Sequence, residues 1–68
     1  MKLKRLAKLR MQAGLTQTEF AVKLGLSIKN YNHKENGIRK FTPAEMNKVY
    51  KVLKRTNPKL NMQDIFFN

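Results

Sequence analysis

Three glycines, Gly14, Gly25 and Gly37, divide this chain of 68 residues into short segments, and a helix-starting signal follows each of them. Glycine readily takes the left-handed backbone that closes a helix, a conformation other residues adopt only with strain. After Gly14 comes Thr16-Gln17-Thr18-Glu19, a capping box in which hydroxyl and carboxylate accept from amides the helix leaves unpaired. After Gly25 comes Ser27, a strong N-cap for a third helix running to about Asn36. After Gly37 comes Thr42-Pro43-Ala44-Glu45, a second capping box with proline at the first helical position, where its missing N–H is harmless. Asn57-Pro58 marks the end of that fourth helix, and Asn61-Met62-Gln63-Asp64 starts a short fifth one.

Apolar periodicity fits this punctuation. Leu3, Leu6, Leu9 and Ala13 recur at spacings of three and four, forming one stripe on a helix otherwise rich in Lys and Arg. Phe20, Ala21 and Leu24 face inward on the second helix. Met46, Val49, Tyr50 and Leu53 do so on the fourth, with Val52 at the edge. Ile65, Phe66 and Phe67 are placed to close the core. No useful stretch alternates with the period of a strand, and there is no internal repeat. The expected fold is all-α, a compact five-helix domain occupying residues 1–68.

Charge then narrows the function. Fifteen Lys and Arg stand against four Asp and Glu, a formal net charge of +11. Such a chain repels itself and suits a polyanionic partner, nucleic acid first and an anionic membrane surface second. The acids all have structural work available. Glu19, Glu45 and Asp64 each lie three residues after an N-cap, where a carboxylate meets free amides and the positive helix end. Glu35 is the fourth. None is left to pair as general acid and base or to hold a hard metal ion, so an enzyme is not expected. With no Cys and a single His, neither are thiolate or multi-histidine metal sites. No cofactor is expected. The longest apolar runs, Phe20-Ala21-Val22 and Ile65-Phe66-Phe67, fall far short of the ~20 residues of a spanning helix.

Two short helices joined at Gly25, the second capped by Ser27, form the skeleton of a helix-turn-helix over residues 16–36. On the third helix, residues 28–36, a rotation of 100° per residue puts Asn32, Asn36, Lys29 and His33 in an arc of about 140° running one way from Ile28. Tyr31 and Glu35 fall outside that arc. One face thus offers hydrogen-bonding groups and one aliphatic side chain, and another offers an aromatic ring to the core, as a helix that reads the major groove must. Asn32 suits a bidentate contact to adenine and Lys29 suits guanine O6 or N7. Ile28, with no hydrogen bond to give, suits a thymine methyl. His33 could meet a base edge, a phosphate or solvent.

The segment Leu15-Thr16-Gln17-Thr18-Glu19-Phe20-Ala21-Val22-Lys23-Leu24-Gly25-Leu26-Ser27, followed by Lys34-Glu35-Asn36-Gly37, resembles the phage-repressor and Cro-like (XRE-type) family of DNA-binding domains. The likeness runs from Leu3 to Phe67. Its most specific parts are Gly14-Leu15-Thr16-Gln17, Leu24-Gly25-Leu26-Ser27 and Glu35-Asn36-Gly37. It implies a lambda-repressor-like fold and phosphate contacts from Gln17, Asn36, Arg39 and Lys40. For Arg39 and Lys40, the plain alternative is a solvated charged loop. It also implies a partly buried ion pair between Arg10 and Glu35 that docks the third helix on the first, with one edge of the Arg10 guanidinium left for phosphate. Lys34 departs from the family, standing where relatives carry an apolar residue; its stem is expected to cover the core while the ammonium reaches solvent, with Phe41 filling space nearby. The Lys34-Glu35-Asn36-Gly37 form looks similar to small regulators of Gram-positive phages and mobile elements. The connection Lys54-Arg55-Thr56-Asn57-Pro58 is longer than the usual family turn.

The expected function is a sequence-specific transcriptional regulator of Cro or repressor type that binds double-stranded DNA in the cytoplasm, at the nucleoid. It is expected to act as a homodimer on a palindromic operator, with Tyr50, Leu60, Met62, Phe66 and Phe67 as apolar candidates for a C-terminal interface. No small-molecule ligand is expected. The competing reading is a non-specific binder of polyanions or anionic membrane surfaces. A third reading, in which Ile65, Phe66 and Phe67 dock another protein, ranks lower because apolar triplets of this kind more often belong to a core.

Overall fold

A computed structural model describes residues 3–66. Among them are five α-helices and no strand: α1 (Lys4–Gln12), α2 (Gln17–Leu24), α3 (Ile28–Glu35), α4 (Pro43–Lys54) and α5 (Met62–Phe66). Phe67, expected in the core or at a dimer surface, lies outside the described residues.

Side-chain caps start α2, α3, α4 and α5. Thr16 Oγ1 accepts from the Glu19 amide at 3.1 Å, and Glu19 Oε1 accepts from the Thr16 amide at 3.0 Å. Thr42 and Glu45 repeat the exchange at 3.2 and 2.9 Å. Those backbone bonds hold the exposed Glu19 carboxyl below the ordinary carboxylate range. Ser27 Oγ accepts from the Asn30 amide at 3.1 Å. Asn61 and Asp64 bond to each other's amides at the start of α5. Gly25, at φ +73°, closes α2; its amide reaches Val22 O, and the Leu26 amide reaches Ala21 O at 2.9 Å. That left-handed residue turns the chain sharply enough for only three residues to separate α2 from α3. The third helix is one residue shorter than expected, because Asn36 leaves helical geometry and serves as its C-cap.

Packing assembles these pieces around one apolar cluster. Leu6 and Leu9 of α1, Phe20, Ala21 and Leu24 of α2, Tyr31 of α3, Val49 and Leu53 of α4, and Ile65 of α5 are all buried. Phe41 and Leu60 enter from the connections. Met46 and Tyr50 pack at the margin, half-buried. Edge-on ring contacts run from Phe20 to Tyr31 (5.3 Å), Tyr31 to Phe41 (6.3 Å) and Phe41 to Phe66 (5.4 Å). Such geometry sets the positive rim of one ring against the negative face of the next. The ladder ties α2, α3, the 36–42 loop and α5 into one body.

Two expectations are corrected here. The Lys34 ammonium does not stand free in solvent. The residue is only 8% exposed, its Nζ donates to Glu45 Oε1, and it lies 5.8 Å from the centroid of Phe41. The capping carboxylate of α4 is within reach, and the pairing draws the charge inward. Leu60, expected at a dimer surface, is instead a core residue at 5% exposure. The turn after α4, with the Leu60 amide donating to Asn57 O at 3.0 Å, swings it inward.

Candidate nucleic-acid interface

The site is built outward from a buried carboxylate. Tyr31 and Glu35 are one helical turn apart, so they share a face of α3, and that face meets α1 and α2. Glu35 is 2% exposed. Its Oε2 accepts from Arg10 Nε at 3.0 Å and from the Tyr31 hydroxyl at 2.5 Å. Its Oε1 accepts from Gln17 Nε2 at 3.0 Å and, more weakly, from Arg10 Nη2 at 3.4 Å. Burial alone would raise the Glu35 pKa. The hydrogen bonds from Arg10, Tyr31 and Gln17, with the Arg10 charge, outweigh it and hold the carboxyl below its ordinary range. Burial likewise works against the Arg10 charge, and Glu35 more than offsets that effect, raising the Arg10 pKa. The Tyr31 hydroxyl is pushed up by burial and by bonding to the carboxylate.

Arg10 is turned wholly inward. Besides its two nitrogens on Glu35, Nη1 donates to the carbonyl of Leu15 at 2.8 Å, bracing the loop before α2. Nη1 and Nη2 each keep a second N–H that has no hydrogen-bond partner among the described residues. Gln17 is committed at both ends of its amide: Nε2 to Glu35, and Oε1 to Asn32 Nδ2 at 3.1 Å. The sequence reading missed this bridge. It joins residues 15 positions apart, and no local pattern signals it.

With its inner face fixed in this way, α3 turns the rest outward. Ile28 is 52% exposed and Lys29 is exposed; Asn32 and His33 are half-exposed. Asn36 lies at the end of the helix, its Nδ2 donating to the Asn32 backbone carbonyl at 2.9 Å. The following loop folds back on the helix through bonds from the Ile38 and Arg39 amides to His33 O. Arg39 and Lys40 are exposed on that loop. They also line a groove of about 360 Å³ whose apolar walls include Leu3, Phe41, Met46 and Phe66. Among the described residues, no cluster of three or more His, Cys, Asp or Glu is arranged to hold a metal ion, and no helix is long and apolar enough to cross a membrane.

Of the apolar residues expected at a C-terminal interface, Tyr50, Met62 and Phe66 are half-buried. Among the described residues, the most exposed large apolar side chains lie elsewhere, at Met11, Val22, Ile28 and Ile38.

No curated protein and no solved structure matches this chain. A protein-family model for helix-turn-helix domains, HTH_3, matches residues 6–58, from the first buried leucine of α1 past the end of α4. That span contains both capping boxes, the left-handed turn at Gly25, and the Arg10–Glu35 pair that seats α3. The chain therefore belongs to the HTH_3 family, the XRE-type, Cro/C1-like helix-turn-helix domains, and is a DNA-binding regulator of a generally non-enzymatic kind.

Proposed function

We propose that residues 1–68 act as a single helix-turn-helix domain that binds double-stranded DNA sequence-specifically and regulates transcription in the manner of Cro or a small repressor. In this reading α3 enters the major groove, with Lys29, Asn32, His33 and Ile28 reaching base edges. Asn36, Arg39 and Lys40 hold backbone phosphates, and the α2 N-terminus with Gln17 offers amides to another. Arg10 serves as a structural brace, and the second N–H of Nη1 or Nη2 is the edge it can offer a phosphate while the bonds to Glu35 and Leu15 stay in place. The protein works in the cytoplasm as a homodimer through its C-terminal helices, on half-sites about one DNA turn apart. The observation that carries the reading is the division of α3: Tyr31 and Glu35 lock one side, while Ile28, Lys29, Asn32 and His33 are exposed or half-exposed on the other.

Selection of bound sequences from random duplex DNA tests it. A palindromic consensus is expected, bound roughly 10³-fold or more tighter than its scrambled counterpart at physiological salt. Equal affinity for consensus and scrambled duplexes would sink the proposal in favour of charge-driven polyanion binding, which the net charge of +11 supports. Membrane-surface binding has less support. The apolar stripe of α1 that a bilayer would have to accept, Leu6 and Leu9, is already buried in the core.

A further inference from the structure

Asparagine is ambiguous as a base reader. Its carbonyl accepts and its amine donates, and the two ends have nearly the same shape. Facing the groove with the carbonyl, it suits the exocyclic amine of adenine or cytosine; facing it with the amine alone, it suits guanine O6 and N7 or thymine O4. Rotation about the last side-chain bond exchanges the two. Something in the fold has to choose.

The choice is made at Glu35. An ionised carboxylate has lone pairs and no proton, so every group against it must be a donor. Arg10 and the Tyr31 hydroxyl meet that condition on one side. On the other, Gln17 can meet it only with its amine, which lies 3.0 Å from Oε1. The Gln17 carbonyl is therefore turned away from Glu35 and toward α3, where it accepts from Asn32 Nδ2 at 3.1 Å. A flipped Gln17 would set carbonyl against carboxylate and amine against amine. Asn32 is consequently held with its amine inward. Among the described residues its Oδ1 has no hydrogen-bond partner, and none of their buried side-chain nitrogens or oxygens goes unpaired, so Oδ1 meets solvent.

We infer that Glu35, acting through Gln17, fixes Asn32 with its carbonyl oxygen toward the DNA, so that Asn32 selects a base with an exocyclic amine: adenine first, cytosine second. Adenine leads because the second Asn32 amide hydrogen can also reach N7, making the contact bidentate. Gln17 is then a specificity-positioning residue as well as a candidate phosphate contact. The assignment rests on α3 being the helix that enters the major groove.

The test uses the full chain and the duplex obtained by selection, with all four base pairs placed in turn at each half-site position and affinities read by fluorescence anisotropy. The position that loses discrimination in Asn32→Ala is the one Asn32 reads. There the wild type is expected to prefer adenine over guanine and thymine by roughly 10- to 100-fold. Gln17→Met keeps the side chain's length and removes both ends of its amide. Whatever overall affinity it loses with a phosphate contact, it should flatten the preference at that one position to within a few-fold and leave the base preference at the other positions as in the wild type. A Gln17 that only grips phosphate would instead weaken all sequences equally, which overturns the inference. So does a wild-type preference for guanine or thymine at that position.

NMR of the free protein supplies an arm independent of DNA. The Asn32 amide protons should exchange with solvent more slowly than those of the exposed Gln12, and Gln17→Met should abolish the difference. Exchange as fast as at Gln12 in the wild type overturns the relay. A relay seen in the free protein, combined with equal binding to every duplex, overturns both this inference and the proposed function. Sequence-selective binding with failure of the Gln17 arms overturns this inference alone.

Discussion

Removing Arg10 is the sharpest test of what seats α3. In Arg10→Met the side chain keeps much of its apolar stem and loses its donors to Glu35, at 3.0 and 3.4 Å, and to the Leu15 carbonyl, at 2.8 Å. Glu35 then stays in the core with Tyr31 and Gln17 as its donors and no positive charge beside it. Stranding one partner of a buried pair costs about 3–5 kcal/mol. At ~0.05–0.15 kcal/mol per residue, a domain of this length has roughly 3–10 kcal/mol in all. The variant is thus expected at the edge of unfolding, and urea titrations followed by far-UV circular dichroism should be run in a stabilising osmolyte.

Glu35→Gln makes the converse lesion: the introduced amine must face an Arg10 N–H, donor against donor. The double variant removes both charges, and its loss should fall at least ~2 kcal/mol short of the sum of the singles, the signature of coupled partners. The sign of the pH effect is also fixed. Because the folded-state pKa of Glu35 lies below its ordinary value of 4.5, its contribution is present above that value and is lost as pH falls through the folded pKa. The gap between wild type and Arg10→Met should hold from pH 7 to about 5 and narrow below that. Single losses under ~1 kcal/mol that simply add would refute the reasoning.

Three further outcomes are expected. Tyr31→Phe keeps the ring against Phe20 and Phe41 and deletes only the hydroxyl on Glu35; it should lower stability by about 1.5–3 kcal/mol in the same urea assay, as for a hydrogen bond to a charged group. Lys34→Met leaves the packing on Phe41 and frees Glu45, which still caps α4. Since apolar residues often replace buried ion pairs without loss, its melting temperature should match or exceed that of the wild type, while Lys34→Ala, which also empties space over Phe41, should melt lower. Arg39→Ala should weaken binding to consensus and scrambled duplexes by the same factor. It should also reduce the log–log salt slope by about one per subunit, against a wild-type dimer slope near −9 for about five phosphate contacts each; a changed base preference with an unchanged slope would place Arg39 on a base.

Thr16, Ser27, Thr42 and Asn61 announce their helices because a cap bonds to an amide only three positions away, so the interaction is written within four letters of sequence. The glycine at 25 announces its turn because its backbone freedom is a property of the residue itself. Periodicity likewise separates Tyr31 from Lys29 and Asn32, since helical rotation requires nothing beyond the chain. The pairing of Arg10 with Glu35 was accessible only through resemblance to a family, because nothing local joins positions 25 apart.

Tertiary structure decided where each polar group points. Lys34 and Glu45 could both have faced water; packing of Phe41 brings them together at the edge of the core, and the lysine turns inward. Leu60 could have lined a partner surface, and the turn after α4 buries it. Gln17 looked free to grip a phosphate, yet the approach of α2 to α3 sets it between an acceptor-only carboxylate and Asn32. The sequence by itself therefore determined the helices, their ends and the outward face of α3, all of which depend on interactions within a turn or two of chain. The orientation of the Asn32 amide depends on a carboxylate three residues away that reaches it only through a residue on another helix, and that arrangement exists only once α2 and α3 have packed.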